Sequence, residues 1–205
     1  MGFLDSIMGR KKPPRADLDQ LFGLPSAAIT LQAGLDYMPA GVGSVAFRAP
    51  QGKAFADVQR EVQELLDSDG GPAVEAEVDD FGFTWLVVRT DPADIAGLVT
   101  DLHAINVTLQ DHGFGAALLC SLVVFTGPDQ RRLGMVYLFK QGTFYPFAPE
   151  PGSDGSGHSG ARDNLLEIQI RDLLAGELTM ENQLSRWFAV WGAPGLAPHS
   201  DGADG

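Results

Sequence analysis

One cysteine, Cys120, is the whole thiol content of this chain, which excludes an internal disulfide and fits a reducing compartment. Histidine is almost as scarce. His103, His112, His158 and His199 include no pair at the short spacing of common zinc ligands, and the first two stand nine residues apart. Neither a metal nor any other cofactor is expected. Basic residues are few, 14 against 27 acidic ones, for a net charge of −13. That removes the basic stripe on which phosphate binding depends, so nucleic acid is not an expected partner. The longest apolar run, Phe114 to Phe125, falls short of the roughly 20 residues that cross a bilayer. The apolar stretch at the N-terminus is too short for a signal peptide, and its charges follow it instead of preceding it.

What the chain does have begins at that N-terminus. Residues 1–15 (MGFLDSIMGRKKPPR) carry four basic residues and one Asp, or +3, which leaves −16 on the rest. On a helix, Phe3, Leu4, Ile7 and Met8 share one face. Asp5 in the first turn and Arg10, Lys11 and Lys12 in the last suit the helix dipole, and Pro13-Pro14 stop it. Three turns are marginal alone in water. A basic, apolar tip on an acidic body predicts weak, salt-sensitive contact with an anionic membrane surface through Phe3, Leu4, Ile7, Met8, Arg10, Lys11 and Lys12. The alternative is that this face folds back on the domain. Met1-Gly2-x-x-x-Ser6 also matches a myristoylation pattern, which needs a eukaryotic host.

Downstream, Asp17 reads as a cap for a short helix, and Ser26 to Gln32 as a second. Tyr37 to Gly43 is turn-rich, and Val42 to Arg48 reads as a strand. Phe55, Val58, Val62, Leu65 and Leu66 form a helical stripe. Ala73 to Val78 and Phe83 to Arg89 read as a hairpin. Asp91-Pro92 opens a helix carrying Ile95, Leu98, Val99, Leu102, Ile105 and Leu109, closed by Gly113. Ala116 to Phe125, Leu133 to Phe139 and Thr143 to Phe147 follow as a meander, the first a central strand. Two C-terminal helices are expected, one over Leu165 to Leu174. The other is capped by Thr179, with Met180, Leu184, Trp187, Phe188 and Trp191 on one face. The fold class is therefore α+β, an antiparallel sheet packed by helices. Its parts are an N-terminal segment (1–15), the main domain (16–148), a flexible linker (149–160), a helical pair packing on the domain (161–192) and a disordered tail (193–205).

No constellation in this sequence predicts catalysis. Gly41-Val42-Gly43-Ser44-Val45-Ala46 fits a degenerate dinucleotide pattern, but Pro39 precedes it and Pro50 follows, so a turn entering a strand is the reading. Cys120 sits among Leu118, Leu119, Leu122 and Val123, where a thiol is buried and inert. His103 lies off its helix's apolar stripe and reads as solvated, while His112 sits at a helix end. Ser159 in Gly157-His158-Ser159-Gly160 lacks the strand that a nucleophile elbow needs. Asp79 and Asp80, with Glu75 and Glu77, form an acidic patch on one hairpin, normally just solvated. Trp187, Phe188 and Trp191 are the candidate partner-binding residues, since aromatic anchors dominate interfaces; packing onto the core is the plainer reading.

The chain resembles the actinobacterial PspA-associated protein PspAB family. The likeness rests on Met1-Gly2-Phe3-Leu4-Asp5 with its Arg/Lys-Pro sequel, on Leu24-Pro25-Ser26-Ala27-Ala28-Ile29-Thr30-Leu31, on Gly41-Val42-Gly43-Ser44-Val45, and on Phe144-Tyr145-Pro146-Phe147. It covers about residues 1–192 and implies the phage-shock envelope-stress system, with a PspA-type scaffold or an HtpX-type membrane protease as partner. The H-E-x-x-H zinc motif of that protease is absent from this sequence. The resemblance supplies no catalytic residues; together with the basic, apolar tip and the absence of a catalytic constellation, it leads to the expectation of a non-enzymatic accessory protein, cytoplasmic and peripheral at the inner face of the membrane. The element order is also similar to type III secretion chaperones and YbjN-like domains, for which a cytosolic chaperone-like binding module is the alternative function.

Overall fold

A computed structural model describes residues 17–48, 56–57, 60–64, 73–150 and 160–196. Six strands form one antiparallel sheet: β1 (Met38–Phe47), β2 (Glu75–Val78), β3 (Thr84–Arg89), β4 (Leu118–Thr126), β5 (Arg132–Leu138) and β6 (Thr143–Phe147). Their order across the sheet is β2-β3-β1-β4-β5-β6, with every pairing antiparallel. Helices accompany them, among them α1 (Leu24–Leu35), α2 (Ile95–Asp111) and α3 (Asn164–Leu174). The expected α+β class is what the chain adopts.

β4 shows why the sheet needs cover on both sides. Val123 and Phe125 enter a core shared with α1, α2 and α3, while Cys120, Leu122 and Val124 enter a second core on the opposite face. An unbroken apolar run is what a strand buried on both faces requires. α2 places Leu98, Val99, Leu102, Ile105 and Leu109 in the first core. Burial of each such side chain contributes roughly 1.5–3 kcal/mol. The cap of α2 is Asp94, whose carboxylate accepts from Gly97 N–H at 2.9 Å. Asp91, the expected cap, instead accepts from Ala93 N–H in the turn just before it. Residues 56–57 and 60–64 are helical, as their stripe predicts.

Gly41 explains the glycine-rich motif. β1 begins at Met38, earlier than the turn-rich reading of residues 37–43 suggests, and its register with β4 shifts between Pro39 and Gly43. Gly41 has φ +70° there, and a Cβ would lie 2.3 Å from the Thr90 carbonyl oxygen. The motif is thus a bulge inside a strand, where a turn entering a strand was expected, and not a strand-to-helix phosphate loop.

The second face is covered in a way the sequence did not suggest. The expected helix from Thr179 does not form: Leu184–Arg186 is a single 3-10 turn, and residues 187–190 have no regular structure. β6 competes for this backbone. Phe144 N–H donates to the Thr179 carbonyl and Glu181 N–H to the Phe144 carbonyl, at 2.9 and 2.7 Å. Farther along, Arg162 Nη1–H donates to the Trp187 carbonyl and Tyr145 Oη–H to the Phe188 carbonyl, both at 2.8 Å. Carbonyls that a helix would use are committed elsewhere. Ala193 and Leu196, which the sequence placed in the tail, are buried in the second core.

Residues 151–159 of the expected linker lie outside the described residues, but its two ends meet. Pro149 and Arg162 form an antiparallel bridge, and Glu150 N–H donates to the Ala161 carbonyl at 2.8 Å. Arg162 holds this junction. Its Nε–H donates to Glu167 at 2.8 Å and its guanidinium lies 4.7 Å over the Phe147 ring. Burial holds the Glu167 carboxyl above its usual range, even though Arg162 and the Ala148 N–H favour the charged form. α3 and the C-terminal segment therefore pack directly on the sheet.

Candidate functional site

A hollow of about 420 Å³ opens on the second face of the sheet. Its floor is a row of three neighbours in register: Trp85 on β3, Ala46 on β1 and Cys120 on β4. The small side chain of Ala46, set between larger neighbours, leaves the depression. One wall is the β2–β3 hairpin, with Asp79, Phe81 and Phe83. The other is the C-terminal segment from Phe188 to Trp191. Phe81 and Phe188, on facing rims, are 52% and 42% exposed, high for aromatic side chains.

Each wall has its own support. Asp79 accepts from Phe81 N–H, Phe83 N–H and the Trp85 indole Nε1–H at 3.0, 2.9 and 2.9 Å. That binds the hairpin turn to the floor. Arg48 lies 5.5 Å over the Phe83 ring. On the opposite side Trp187 is the anchor. It is buried, stacks on Tyr145 at 5.8 Å and donates its indole N–H to the Glu181 carbonyl at 2.9 Å. Burial first raises the Glu181 carboxyl, but bonds from Gln183 N–H, Arg186 and Thr143 bring it below its usual range. Trp191 meets Phe147 edge-on at 4.8 Å.

The three candidate partner-binding aromatics therefore separate. Trp187 is structural, while Phe188 and Trp191 line the hollow. Phe81, Phe83 and Trp85 complete the site, and the sequence reading passed over them in favour of the neighbouring carboxylates. Their signal was an apolar, alternating hairpin with an aromatic at its turn. The candidate membrane residues Phe3, Leu4, Ile7, Met8, Arg10, Lys11 and Lys12 lie outside the described residues.

Little in the hollow can do acid–base or nucleophilic work. Asp79 is committed to its three donors. Cys120 is 1% exposed, and burial pushes its thiol up to about 12, so it is protonated at neutral pH. His103 is not simply solvated: its ring lies tilted 5.0 Å from that of Phe22, and it is 3.5 Å from Asp19. His112 pairs with Glu61 at 2.9 Å. Glu75 and Glu77 pair with Arg89 at 3.5 and 3.2 Å. Among the described residues no three His, Cys, Asp or Glu side chains are placed to hold a metal, and no helix is long and apolar enough to cross a membrane.

No curated protein and no solved structure matches this chain. The model of one family, PspA associated protein B, matches residues 1–195, and the chain belongs to that family.

Proposed function

We propose that this chain is a non-enzymatic accessory protein of the phage-shock envelope-stress response, which takes an apolar segment of a PspA-type scaffold into the hollow between the β2–β3 hairpin and the C-terminal segment. Membership of a family named for association with PspA supports the scaffold as partner. An HtpX-type protease is the second candidate. The observation that carries the reading is the hollow itself, which is lined by aromatic side chains with exposed rims and whose two titratable side chains are committed or buried. Such a surface gains from covering apolar area and has little to offer a reacting bond. The basic, apolar tip at residues 3–12 adds a weak contact with the inner membrane surface, which makes the protein cytoplasmic and peripheral.

Titration of the purified PspA-type protein from the same genome tests this. Phe81→Ala and Phe188→Ala should each weaken binding about tenfold, which is about 1.4 kcal/mol. Ile29→Ala, at an exposed position on α1, should leave binding unchanged. Equal affinity for all three variants and the parent protein would refute the groove as the docking site. For the membrane contact, removal of residues 1–12 should abolish co-sedimentation with anionic vesicles; undiminished co-sedimentation would refute it.

A further inference from the structure

We infer that in the free protein the hollow is occupied by the chain's own N-terminal segment, with Phe3, Leu4, Ile7 and Met8 against its aromatic lining. The partner then competes with that segment for the hollow, and the membrane competes with the hollow for that segment; both of these shares rest on the function proposed above, while the docking itself does not.

Chemistry matches on both counts. The hollow is apolar and open, with Phe81 and Phe188 exposed at its rims. The segment offers four apolar side chains within six residues. Around the hollow the charge is negative. Glu77 pairs opposite Trp85 and Glu75 opposite Val87, so both glutamates project on the same face as the floor. Asp79 and Asp80 continue that edge through the turn. Arg89, which pairs with both glutamates, and Arg48, over Phe83, offset two of these four carboxylates. The remaining excess is acidic, and the approaching segment carries Arg10, Lys11 and Lys12. Opposite signs at this range attract within the screening length of about 8–10 Å.

Reach is sufficient. Asp17 is the first described residue, and its carbonyl accepts from Tyr137 Oη–H at 2.7 Å. Tyr137 adjoins Leu138, which pairs with Cys120, which pairs with Ala46. Tyr137 points into the first core, so Asp17 lies at the end of this strand row on the face opposite the floor. From β5 to β1, at the centre of the floor, is two strand spacings, about 10 Å, and crossing to the other face adds about 10 Å. Residues 9–16, fully extended, span at most about 26–29 Å. Phe3 to Met8 can therefore lie on the floor without moving the domain.

Three tryptophans make the test simple. A nitroxide is attached at Ser6→Cys in the full-length chain; Cys120, 1% exposed, does not compete for the label. Indole N–H signals of Trp85, Trp187 and Trp191 are then read by NMR, with the reduced label as reference. The Trp85 and Trp191 signals should lose more than half their intensity, and buried Trp187 less. The loss should be independent of protein concentration. It should be reversed by Ile7→Asp, and by phosphatidylglycerol vesicles but not phosphatidylcholine vesicles. Full intensity at Trp85 and Trp191 without vesicles overturns the inference, because the segment is then free. Loss that appears only between labelled and unlabelled chains mixed at high concentration also overturns it, in favour of a second copy. The NMR result decides the inference alone. If the segment docks but its removal leaves scaffold affinity unchanged, the groove-binding function fails and the inference stands.

Discussion

The indole N–H of Trp85 donates to the Asp79 carboxylate across 2.9 Å, which links the floor of the hollow to the turn that forms its wall. The same carboxylate takes the N–H groups of Phe81 and Phe83, so one side chain holds three donors. What read as part of a solvated acidic patch is a hairpin staple. Asp79→Ala should lower stability by about 2–3 kcal/mol, since each lost bond counts for about 0.5–1.5 kcal/mol net. Asp79→Asn keeps a carbonyl for the backbone donors and should lose about half as much. Urea denaturation of the three proteins checks the order. Unchanged stability in Asp79→Ala would mean that the hairpin holds without its aspartate.

Two glycines of β1 should respond differently to the same added methyl. At Gly41 the methyl meets the Thr90 carbonyl oxygen at 2.3 Å, with φ at +70°, and neither backbone can yield. At Gly43 it meets Leu102 Cδ1 at 2.9 Å and Leu98 Cδ1 at 3.0 Å, the far ends of flexible side chains. Gly41→Ala should cost about 2–4 kcal/mol and Gly43→Ala about 1–2 kcal/mol. Thermal or urea unfolding separates them. A Gly43 variant less stable than the Gly41 variant would show that α2 packing, not the bulge, governs this strand.

The strands from Glu75 to Phe147 were legible because their signals are local. Alternation, an Asp-rich turn at 79–82 and breaks at Gly127-Pro128 and Gln141-Gly142 need no distant partner. α2 announced its stripe in the same way, and erred only at its cap, where Asp94 and Asp91 offer identical chemistry three residues apart. The C-terminal segment failed for the opposite reason. Leu184, Trp187, Phe188 and Trp191 do fall at helical spacing, but the backbone beside them bonds to β6, Tyr145 and Arg162, all distant in sequence. Without that segment the second core has no cover, so the hollow could not be foreseen. Of the residues that line it, Phe188 and Trp191 stood out in the sequence as aromatics at helical spacing, although the helix does not form, while Phe81, Phe83 and Trp85 stood beside more conspicuous carboxylates.

Asp163 gives the fold a pH dependence whose sign follows from its partners. Its carboxylate accepts from Arg131 at 2.7 Å and from the Leu166 N–H at 3.0 Å, capping α3. The Arg131 bond first, and the helix N–H second, hold it below the usual carboxylate range. A carboxyl lowered by folding stabilises the native state fully above its unfolded value, near 4, and loses that contribution as pH falls through the folded one. Asp163→Asn keeps a cap but discards the charge. It should cost about 1–2 kcal/mol at pH 7, the scale of a charge-assisted hydrogen bond at a partly exposed site. The gap between parent and variant should stay constant from pH 7 to about pH 5, then narrow steadily below about pH 4. Urea midpoints measured across that range give the result directly. A gap that widens on acidification would reverse the sign and remove Asp163 as the source.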